Sequence, residues 1–282
     1  FLIINMSIIL SLTCLQYTAT KQESITLKTI KPLINEAIDI GSDFIALPEC
    51  ATSLQNNPEI TKKLATTESE NISLQSFMEI AKNSELYILI GSLPIKHENK
   101  IANRSFLIGP NGNILYKYDK IHLFDVKLPN GQIFKESNTY SHGSKAIIAT
   151  IEQKKKIKIG MTICYDLRFP HLYQDLAKNG AEIITVPSAF SNITGPIHWH
   201  TLLKARAIET GCFIVAPAQT GLHQCGRKSF GHSLIISPWG EIIEDAGRDV
   251  CLINAKIDLD EVKRARLAIP SLNSKKDYSA NF

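Results

Sequence analysis

The sequence predicts an α/β protein whose sheets contain both parallel and antiparallel strands and are covered by helices. Over residues 8–91, apolar strands alternate with amphipathic helices, an order typical of parallel strands joined by helical crossovers. Two later segments have the pattern of β-hairpins, with apolar runs separated by short turns. Because 44% of the 282 residues are hydrophobic, the chain can bury a large core. We expect one domain over residues 1–282, with a core at 8–258 and a C-terminal tail at 259–282.

The first part of the chain contains three predicted strands and two predicted helices. Residues 24–40 carry apolar side chains at helical spacing, and Gly41 follows as a typical helix end. A second helix is expected at 71–83, and the polar segment 52–67 between the helices is expected to be a loop with at most one short helix. The predicted strands are 8–16, 44–47 and 86–91.

The second part begins with the hairpins and continues with alternating helices and strands. One hairpin pairs residues 105–108 with 114–118, and the other pairs 146–152 with 156–164 across a turn at 153–155. Apolar periodicity predicts the elements that follow. The helices are 169–178, 198–210 and 259–266, and the strands are 182–186, 212–217, 233–237, 241–244 and 250–257.

The apolar segment 1–15 has two interpretations, a signal peptide or a buried first strand. No lysine or arginine precedes Lys21, so the positive region of a signal peptide is missing. The segment is also shorter than the ~20 residues that a membrane-spanning helix needs. We therefore expect a buried strand here and no membrane partner.

Charge and cysteine content exclude several classes of protein. A net charge of +4 with scattered basic residues gives no nucleic-acid-binding patch. The six cysteines form no Cys-x-x-Cys pair, which argues against a zinc ribbon or a thioredoxin-like motif. Reduced cysteines in apolar runs act as small hydrophobic residues, so we expect a cytoplasmic protein in which Cys50, Cys212 and Cys251 fill the core.

A metal site is also not expected. His198 and His200 flank Trp199, and residues two positions apart point to different faces of a helix. Both histidines therefore cannot ligate one ion from that helix, and neither a metal nor another cofactor is predicted.

Cys164 lies where an apolar run, residues 156–163, gives way to a helical pattern. Free N–H groups and the dipole at a helix start lower the pKa of a thiol, so we expect Cys164 to favour the thiolate and act as a nucleophile. An inert buried thiol remains the alternative.

Two charged residues occupy similar positions after predicted strands, Glu49 and Lys120. A carboxylate can take a thiol proton, and an ammonium can stabilise the oxygen of an attacked carbonyl. With Cys164 they would form an acyl-transfer set, but spacing alone leaves open whether the three meet.

Three segments resemble the signature regions of the nitrilase superfamily of carbon–nitrogen hydrolases, in the order of that family. They are residues 47–50 (Leu-Pro-Glu-Cys), 118–125 (Tyr-Asp-Lys-Ile-His-Leu-Phe-Asp) and 164–170 (Cys-Tyr-Asp-Leu-Arg-Phe-Pro). The resemblance covers residues 8–258. It implies a four-layer αββα sandwich, no cofactor, and a homodimer formed through helices near the nucleophile.

The same resemblance assigns roles at the site. Glu49 would be the general base, Cys164 the nucleophile and Lys120 the cation that stabilises the oxyanion, together with the Tyr165 backbone N–H. Glu136 matches a second glutamate beside the lysine, either as a catalytic residue or as a structural brace.

Later segments narrow the resemblance to the branch of deaminated-glutathione amidases and ω-amidases. They include residues 187–190, 194–199 and 204–210. Within the last of these, Arg206 and Glu209 are three apart on a helix and are expected to pair either with each other or with Asp166. The implied substrate is a small amide that carries a carboxylate. A nitrilase or N-carbamoyl amidohydrolase using the same triad, or a non-catalytic scaffold, remains an alternative. The candidate substrate contacts are Tyr165, Arg168, Ser188, Phe190, Thr194, His198 and Trp199.

Overall fold

The computed structural model describes residues 7–97, 100–153, 155–274 and 276–279 and shows two six-stranded mixed sheets. In the first sheet the order is β16-β1-β2-β3-β4-β5, with β1, β2 and β3 parallel and the outer pairs antiparallel. Its strands are β1 (Ile9–Gln16), β2 (Phe44–Ala46), β3 (Tyr87–His97), β4 (Lys100–Ile108), β5 (Ile114–Asp119) and β16 (Cys251–Asp258).

The second sheet repeats this arrangement. Its order is β15-β14-β11-β10-β9-β8, with a parallel trio β9, β10 and β11 between antiparallel outer strands. Its strands are β8 (Ile147–Glu152), β9 (Lys156–Met161), β10 (Ile183–Thr185), β11 (Phe213–Ala216), β14 (Leu234–Ile236) and β15 (Ile242–Asp245). Two small ribbons stand apart from the sheets, β6 (Asp125–Lys127) with β7 (Ile133–Lys135), and β12 (Thr220–Leu222) with β13 (Lys228–Phe230).

Helices cover the outer face of each sheet, which gives the four layers αββα. Helices α1 (Glu23–Asp39) and α3 (Ile72–Ser84) bury Ile34 and Phe77 in a cluster with Ile45 and Ile88 of the first sheet. Helices α4 (Pro170–Lys178) and α5 (Gly195–Thr210) pack on the second sheet. The remaining helices are α2 (Pro58–Leu64) and α6 (Asp260–Ala268).

Alternation along β2 shows how the sequence builds the layers. Phe44 and Ala46 point into the cluster shared by the two sheets, whereas Ile45 points towards α1 and α3. Successive strand residues face opposite sides, so a strand buried on both faces must be apolar throughout. This is the reason that the central strands have continuous apolar sequences.

The predicted fold class and the αββα sandwich are confirmed, with differences at several element ends. Strand β9 ends at Met161 rather than at residue 164, and α5 begins at Gly195 rather than at 198. Strand β3 continues through Pro94 to His97, six residues beyond the predicted end at 91. The two ribbons were not predicted because their strands are three residues long and partly charged. Lys154 of the predicted turn 153–155, and residues 1–6 of the segment 1–15, lie outside the described residues.

Within the described ranges, none of the helices has both the length and the apolar character required to cross a bilayer.

Candidate active site

Three loops that leave strands bring Glu49, Lys120 and Cys164 together. Glu49 follows β2, Lys120 follows β5 directly, and Cys164 follows β9. Nζ of Lys120 lies 2.7 Å from Oε1 of Glu49, and the thiol of Cys164 is near enough to both groups for their charges to shift its pKa. The set that the sequence could only suggest therefore meets in space.

Glu49 is held by donors from three segments and is 5% exposed. Its Oε1 accepts from Lys120 and from Nδ2 of Asn103 at 3.1 Å, and its Oε2 accepts from the backbone N–H of Ala189 at 3.0 Å. Burial by itself raises the pKa of this carboxyl, but the charge and hydrogen bonds of Lys120 outweigh burial and hold the pKa below its usual value. Glu49 is therefore an ionised base with a fixed orientation.

Lys120 lies between two carboxylates. Its Nζ is 2.7 Å from Oε1 of Glu49, and it is 2.8 Å from Oε2 and 3.1 Å from Oε1 of Glu136. Burial would lower the pKa of Lys120, but the negative charges of Glu136 and Glu49 prevail and raise it well above its usual value. The Phe124 N–H donates to Oε2 of Glu136 at 2.6 Å, which fixes the second glutamate in turn. The ammonium is therefore permanently charged and positioned.

Cys164 begins a short 3₁₀ turn, Cys164–Arg168, that precedes α4. It adopts a φ of 46°, a left-handed conformation that is strained for a residue other than glycine. Burial and the neighbouring Glu49 charge raise the pKa of its thiol, although Lys120 partly opposes them. The expectation of a thiolate stabilised by a helix start is thus wrong for the resting site, because a buried thiol beside a carboxylate keeps its proton.

A buried aspartate ties the lysine loop to the cysteine loop. Oδ2 of Asp166 accepts from the Tyr118 hydroxyl at 2.6 Å and from the Ile163 N–H at 2.9 Å. Its Oδ1 contacts both the backbone N and Nδ1 of His122, at 3.0 and 2.7 Å. The loop that follows Lys120 and the turn that carries Cys164 therefore share one carboxylate, and their spacing is fixed.

Arg206 supports the same turn from α5. Its Nε and Nη2 donate to the carbonyl of Leu167 at 3.0 and 2.8 Å, and its Nη1 lies 2.9 Å from Glu209. Of the two pairings expected, the one between Arg206 and Glu209 is confirmed.

A cavity of about 880 Å³ is lined by Glu49, Lys120 and Cys164. This volume accommodates a small molecule. Strand β7, helix α2 and the segment 189–194 form other parts of its wall. A thiol, a carboxylate and an ammonium at the wall of such a cavity have the chemistry that acyl transfer requires.

A family model described as Carbon-nitrogen hydrolase matches residues 11–267. The chain belongs to the carbon–nitrogen hydrolase family. The predicted nitrilase-superfamily resemblance is confirmed, and so is the prediction of a hydrolase acting on carbon–nitrogen bonds other than peptide bonds.

Relatives of this carbon–nitrogen hydrolase match along nearly its whole length. The deaminated glutathione amidase of Synechocystis sp. is 38% identical over 262 residues, which cover 92% of this chain and 95% of that protein. Omega-amidase NIT2 of Xenopus tropicalis is 34% identical over 262 residues, which cover 92% of this chain and 92% of that protein.

Solved structures show the same fold. The C. elegans NitFhit protein superposes with a TM-score of 0.87 at 31% identity, covering 95% of this chain and 65% of that longer chain. Saccharomyces cerevisiae Nit3, a member of branch 10 of the nitrilase superfamily, gives a TM-score of 0.82 at 28% identity, with 93% and 94% covered.

The predicted substrate contacts of the hydrolase divide into two groups. Tyr165, Phe190 and Thr194 line the cavity. The other four do not contribute to the described cavity wall. Ser188 and Trp199 are fully buried, and the Trp199 indole donates to the His232 carbonyl at 2.7 Å. Arg168 and His198 contact each other, with 3.2 Å between Nη2 and Nδ1. These four side chains support the wall from behind.

Asn103 is a site residue that sequence reasoning missed. It lies on β4 and is 3% exposed, and its Nδ2 donates to Oε1 of Glu49 at 3.1 Å and to Oε1 of Glu136 at 3.0 Å. The available signal was three consecutive polar residues, Asn103, Arg104 and Ser105, between the apolar residues 101–102 and 106–108. A buried strand carries such residues only when each has a partner.

The cysteines expected to fill the core differ in exposure. Cys212 is buried and its thiol donates to the Ala181 carbonyl at 3.2 Å, as expected. Cys50 and Cys251 are only partly buried, and Cys50 lines the cavity because it directly follows Glu49. Burial and the charge of Glu49 raise the pKa of the Cys50 thiol to about 12, so Cys50 carries its proton at neutral pH.

Two histidines, His200 and His232, contact the same aspartate, an arrangement that the sequence did not predict. Nε2 of His200, on α5, lies 3.0 Å from Oδ2 of Asp245, and Nδ1 of His232 lies 2.9 Å from Oδ1 and 3.2 Å from Oδ2 of the same carboxylate. None of the three lines the cavity. Both imidazoles contact the carboxylate, which links α5 to β15.

Proposed function

We propose that this chain is a cysteine-dependent amidase that hydrolyses the carbon–nitrogen bond of a small, carboxylate-bearing amide and releases ammonia. The observation that carries the proposal is the convergence of Glu49, Lys120 and Cys164 on one cavity wall, with Glu136 behind the lysine. Relatives named deaminated glutathione amidase and omega-amidase support the substrate class.

In the first half of the proposed reaction, Sγ of Cys164 attacks the amide carbon while Glu49 takes the thiol proton. Because the thiol is protonated at rest, this transfer accompanies the attack. The carbonyl oxygen becomes negative next to the Lys120 ammonium and the Tyr165 N–H, which has no hydrogen-bond acceptor in the described part of the chain. The carbon–nitrogen bond then breaks, Glu49 returns the proton to nitrogen, and ammonia leaves a thioester on Cys164.

In the second half, water replaces ammonia. Glu49, again ionised, removes a proton from a water molecule that attacks the thioester carbon. The carbon–sulfur bond breaks, the carboxylic acid leaves, and the proton returns to the thiol of Cys164. One base thus serves both halves, which fits its fixation by Lys120, Asn103 and Ala189.

The test measures ammonia release and the covalent intermediate together. Wild-type protein, Cys164→Ala and the control Cys251→Ala are assayed against ω-amides, nitriles and ureido acids. We expect ammonia from the amides, an acyl adduct on Cys164 in intact-protein mass spectra, and both lost only in Cys164→Ala. Ammonia release by Cys164→Ala at the wild-type rate would reject the mechanism. A preference for nitriles or ureido acids would identify a nitrilase or an N-carbamoyl amidohydrolase, and inactivity on every class would indicate a scaffold.

We also propose that the protein is a homodimer paired through the face near α5. Large apolar side chains are exposed there, with Ile208, Trp239 and Ile269 lining one shallow depression at 56%, 45% and 58% exposure. Exposed apolar patches of this kind mark protein interfaces. Light scattering coupled to size exclusion should give twice the mass of the chain, and Ile208→Glu should yield a monomer. A wild-type mass equal to one chain would reject the dimer.

A cytoplasmic location remains a proposal as well. All six cysteines are free thiols, which suits a reducing compartment. Fractionation of the source cells with an antibody against the chain would test it.

A further inference from the structure

Three basic side chains line the cavity in addition to Lys120. Lys135 lies on β7, Arg227 precedes β13, and Lys228 begins β13. The two lysines are exposed to solvent, whereas Arg227 is half-buried. Arg227 is therefore the cation that can meet a ligand with the least competition from water.

The acidic side chains of the cavity do not neutralise this arginine. Glu49 and Glu136 are both bound to Lys120, and Glu23 at the rim accepts from the Ser73 hydroxyl at 2.9 Å. Across the described residues, no carboxylate lies within 4 Å of the Arg227 guanidinium. Its positive charge is thus uncompensated by the protein.

The guanidinium of Arg227 is nevertheless held in place. It lies over the ring of Phe134, 5.6 Å from the ring centroid, and Phe134 is itself a cavity residue. The field of Arg227 also reaches the catalytic end, because it opposes the rise in pKa that burial and Glu49 impose on Cys50. Stacking on an aromatic face leaves the N–H edge of a guanidinium available for hydrogen bonds.

Arg168, which the sequence suggested as a substrate contact, has a different environment from Arg227. Arg168 lies between the rings of Tyr165 and Phe190, at 5.9 and 5.5 Å, and is bound to His198. It stands behind two cavity residues rather than in the cavity wall.

We propose that Arg227 binds the carboxylate of the substrate, at the end of the molecule away from the amide that Cys164 attacks. This inference rests on the proposed amidase function and names the residue that selects carboxylate-bearing amides. A guanidinium pairs with a carboxylate through two parallel hydrogen bonds, which fixes the orientation of the substrate as well as its affinity.

The test compares two amides that differ only at the far end. Glutaramate carries a carboxylate, and pentanamide carries a methyl group at the same position. In Arg227→Ala we expect kcat/KM for glutaramate to fall ~10- to 100-fold, mainly through KM, because hydrogen bonds to charged groups have that magnitude. In Arg227→Ala, kcat/KM for pentanamide should change less than about threefold. For Arg227→Lys, kcat/KM for glutaramate should lie between the values of Arg227→Ala and wild type, because lysine keeps the charge but loses the bidentate geometry.

The matched control is Arg248→Ala. Arg248 also lies over a phenylalanine, 5.6 Å from the Phe230 centroid, but it does not line the cavity. Its removal should leave both substrates unaffected, and thermal unfolding of each variant should show that the fold is kept. Equal losses on both amides in Arg227→Ala, no loss on either, or a selective loss in Arg168→Ala instead, would overturn the proposal.

A binding measurement separates this proposal from the amidase proposal. Calorimetry with glutarate and the uncharged pentan-1-ol needs no turnover. Glutarate should bind wild type at least tenfold more tightly than Arg227→Ala, because hydrogen bonds to charged groups have that magnitude. Pentan-1-ol carries no carboxylate and should bind both proteins equally. If glutarate binds in this way but no amide is hydrolysed, the amidase proposal fails and the carboxylate site stands. If glutarate binds the two proteins equally, the carboxylate site is rejected whatever the activity.

Discussion

The Nζ of Lys120 lies 2.7 Å from Oε1 of Glu49, although 71 positions separate the two residues in the chain. Their side chains are only 2% and 6% exposed, and Glu136 also contacts the ammonium, at 2.8 Å. One positive charge therefore pairs with two negative charges in a buried site. Burying these charges carries a desolvation penalty, but removing one of them destabilises the fold more, because its partners then remain buried without an opposite charge.

Removal of the central charge should affect both stability and activity. In Lys120→Met we expect a loss of ~3–5 kcal/mol in the free energy of unfolding, since two buried carboxylates lose their cation. The turnover number should fall at least ~100-fold with the loss of oxyanion stabilisation. Urea unfolding and steady-state kinetics measure the two effects. The control Lys117→Met removes a lysine that is 45% exposed and pairs with Glu68, and should cost less than ~1 kcal/mol. Similar losses in both variants would contradict this account of the site.

Asn103 should act as a positioning residue for the two glutamates. In Asn103→Ala, we expect kcat to fall ~10- to 100-fold with little change in KM, as for other residues that orient catalytic groups. The acid limb of the pH profile should also move to higher pH, because Glu49 loses a donor that stabilises its charged form. A purely structural role would leave that limb in place. Ser105→Ala is a suitable control, since Ser105 is buried on the same strand but donates to the Ile90 carbonyl.

Stability and activity should both be constant over a wide neutral range of pH. The pKa of Glu49 is below its ordinary 4.5, so its contribution to stability is complete above about 4.5 and is lost as pH falls through the lowered value. The pKa of Lys120 is above its ordinary 10.5, so its contribution is complete below about 10.5 and is lost as pH rises through the raised value. Because the Cys164 pKa is also raised, its ionisation adds no alkaline limb near neutrality. Thermal unfolding and kcat/KM from pH 3 to 11 would measure this, and a limb near pH 7 would contradict it.

Gly91 should be essential for the position of the Glu49 loop. A Cβ on Gly91 would lie 2.2 Å from the Leu47 carbonyl oxygen and 2.4 Å from Cβ of Pro187, in the segments that lead to Glu49 and Ala189. Since backbone cannot yield easily there, we expect Gly91→Ala to destabilise the protein by ~1–3 kcal/mol, as overpacked sites do, and to lower kcat. Gly109→Ala is the control, because its added Cβ meets the flexible end of Leu115 at 2.9 Å. Equal stability and activity in the two variants would refute the prediction.

The local sequence determined much of this protein. Apolar periodicity placed α1, α3 and the central strands, and two apolar pairs around short turns placed the hairpins β4–β5 and β8–β9. Alternation and periodicity are properties of neighbouring residues, so they survive without knowledge of the fold. The motifs around Glu49, Lys120 and Cys164 likewise belong to short contiguous segments, and the family resemblance followed from them.

The tertiary structure decided what distant segments do to one another. The protonation of Cys164 depends on burial beside Glu49, and no local pattern states how deeply a strand-end cysteine is buried. Asn103 became a site residue only because β4 carries it to two glutamates from other loops. Arg168 and Arg227 look alike as basic residues in the sequence, yet packing puts one behind aromatic rings and the other in the cavity wall. Sequence therefore determined which groups are available, whereas burial and long-range contacts set their charges and directions.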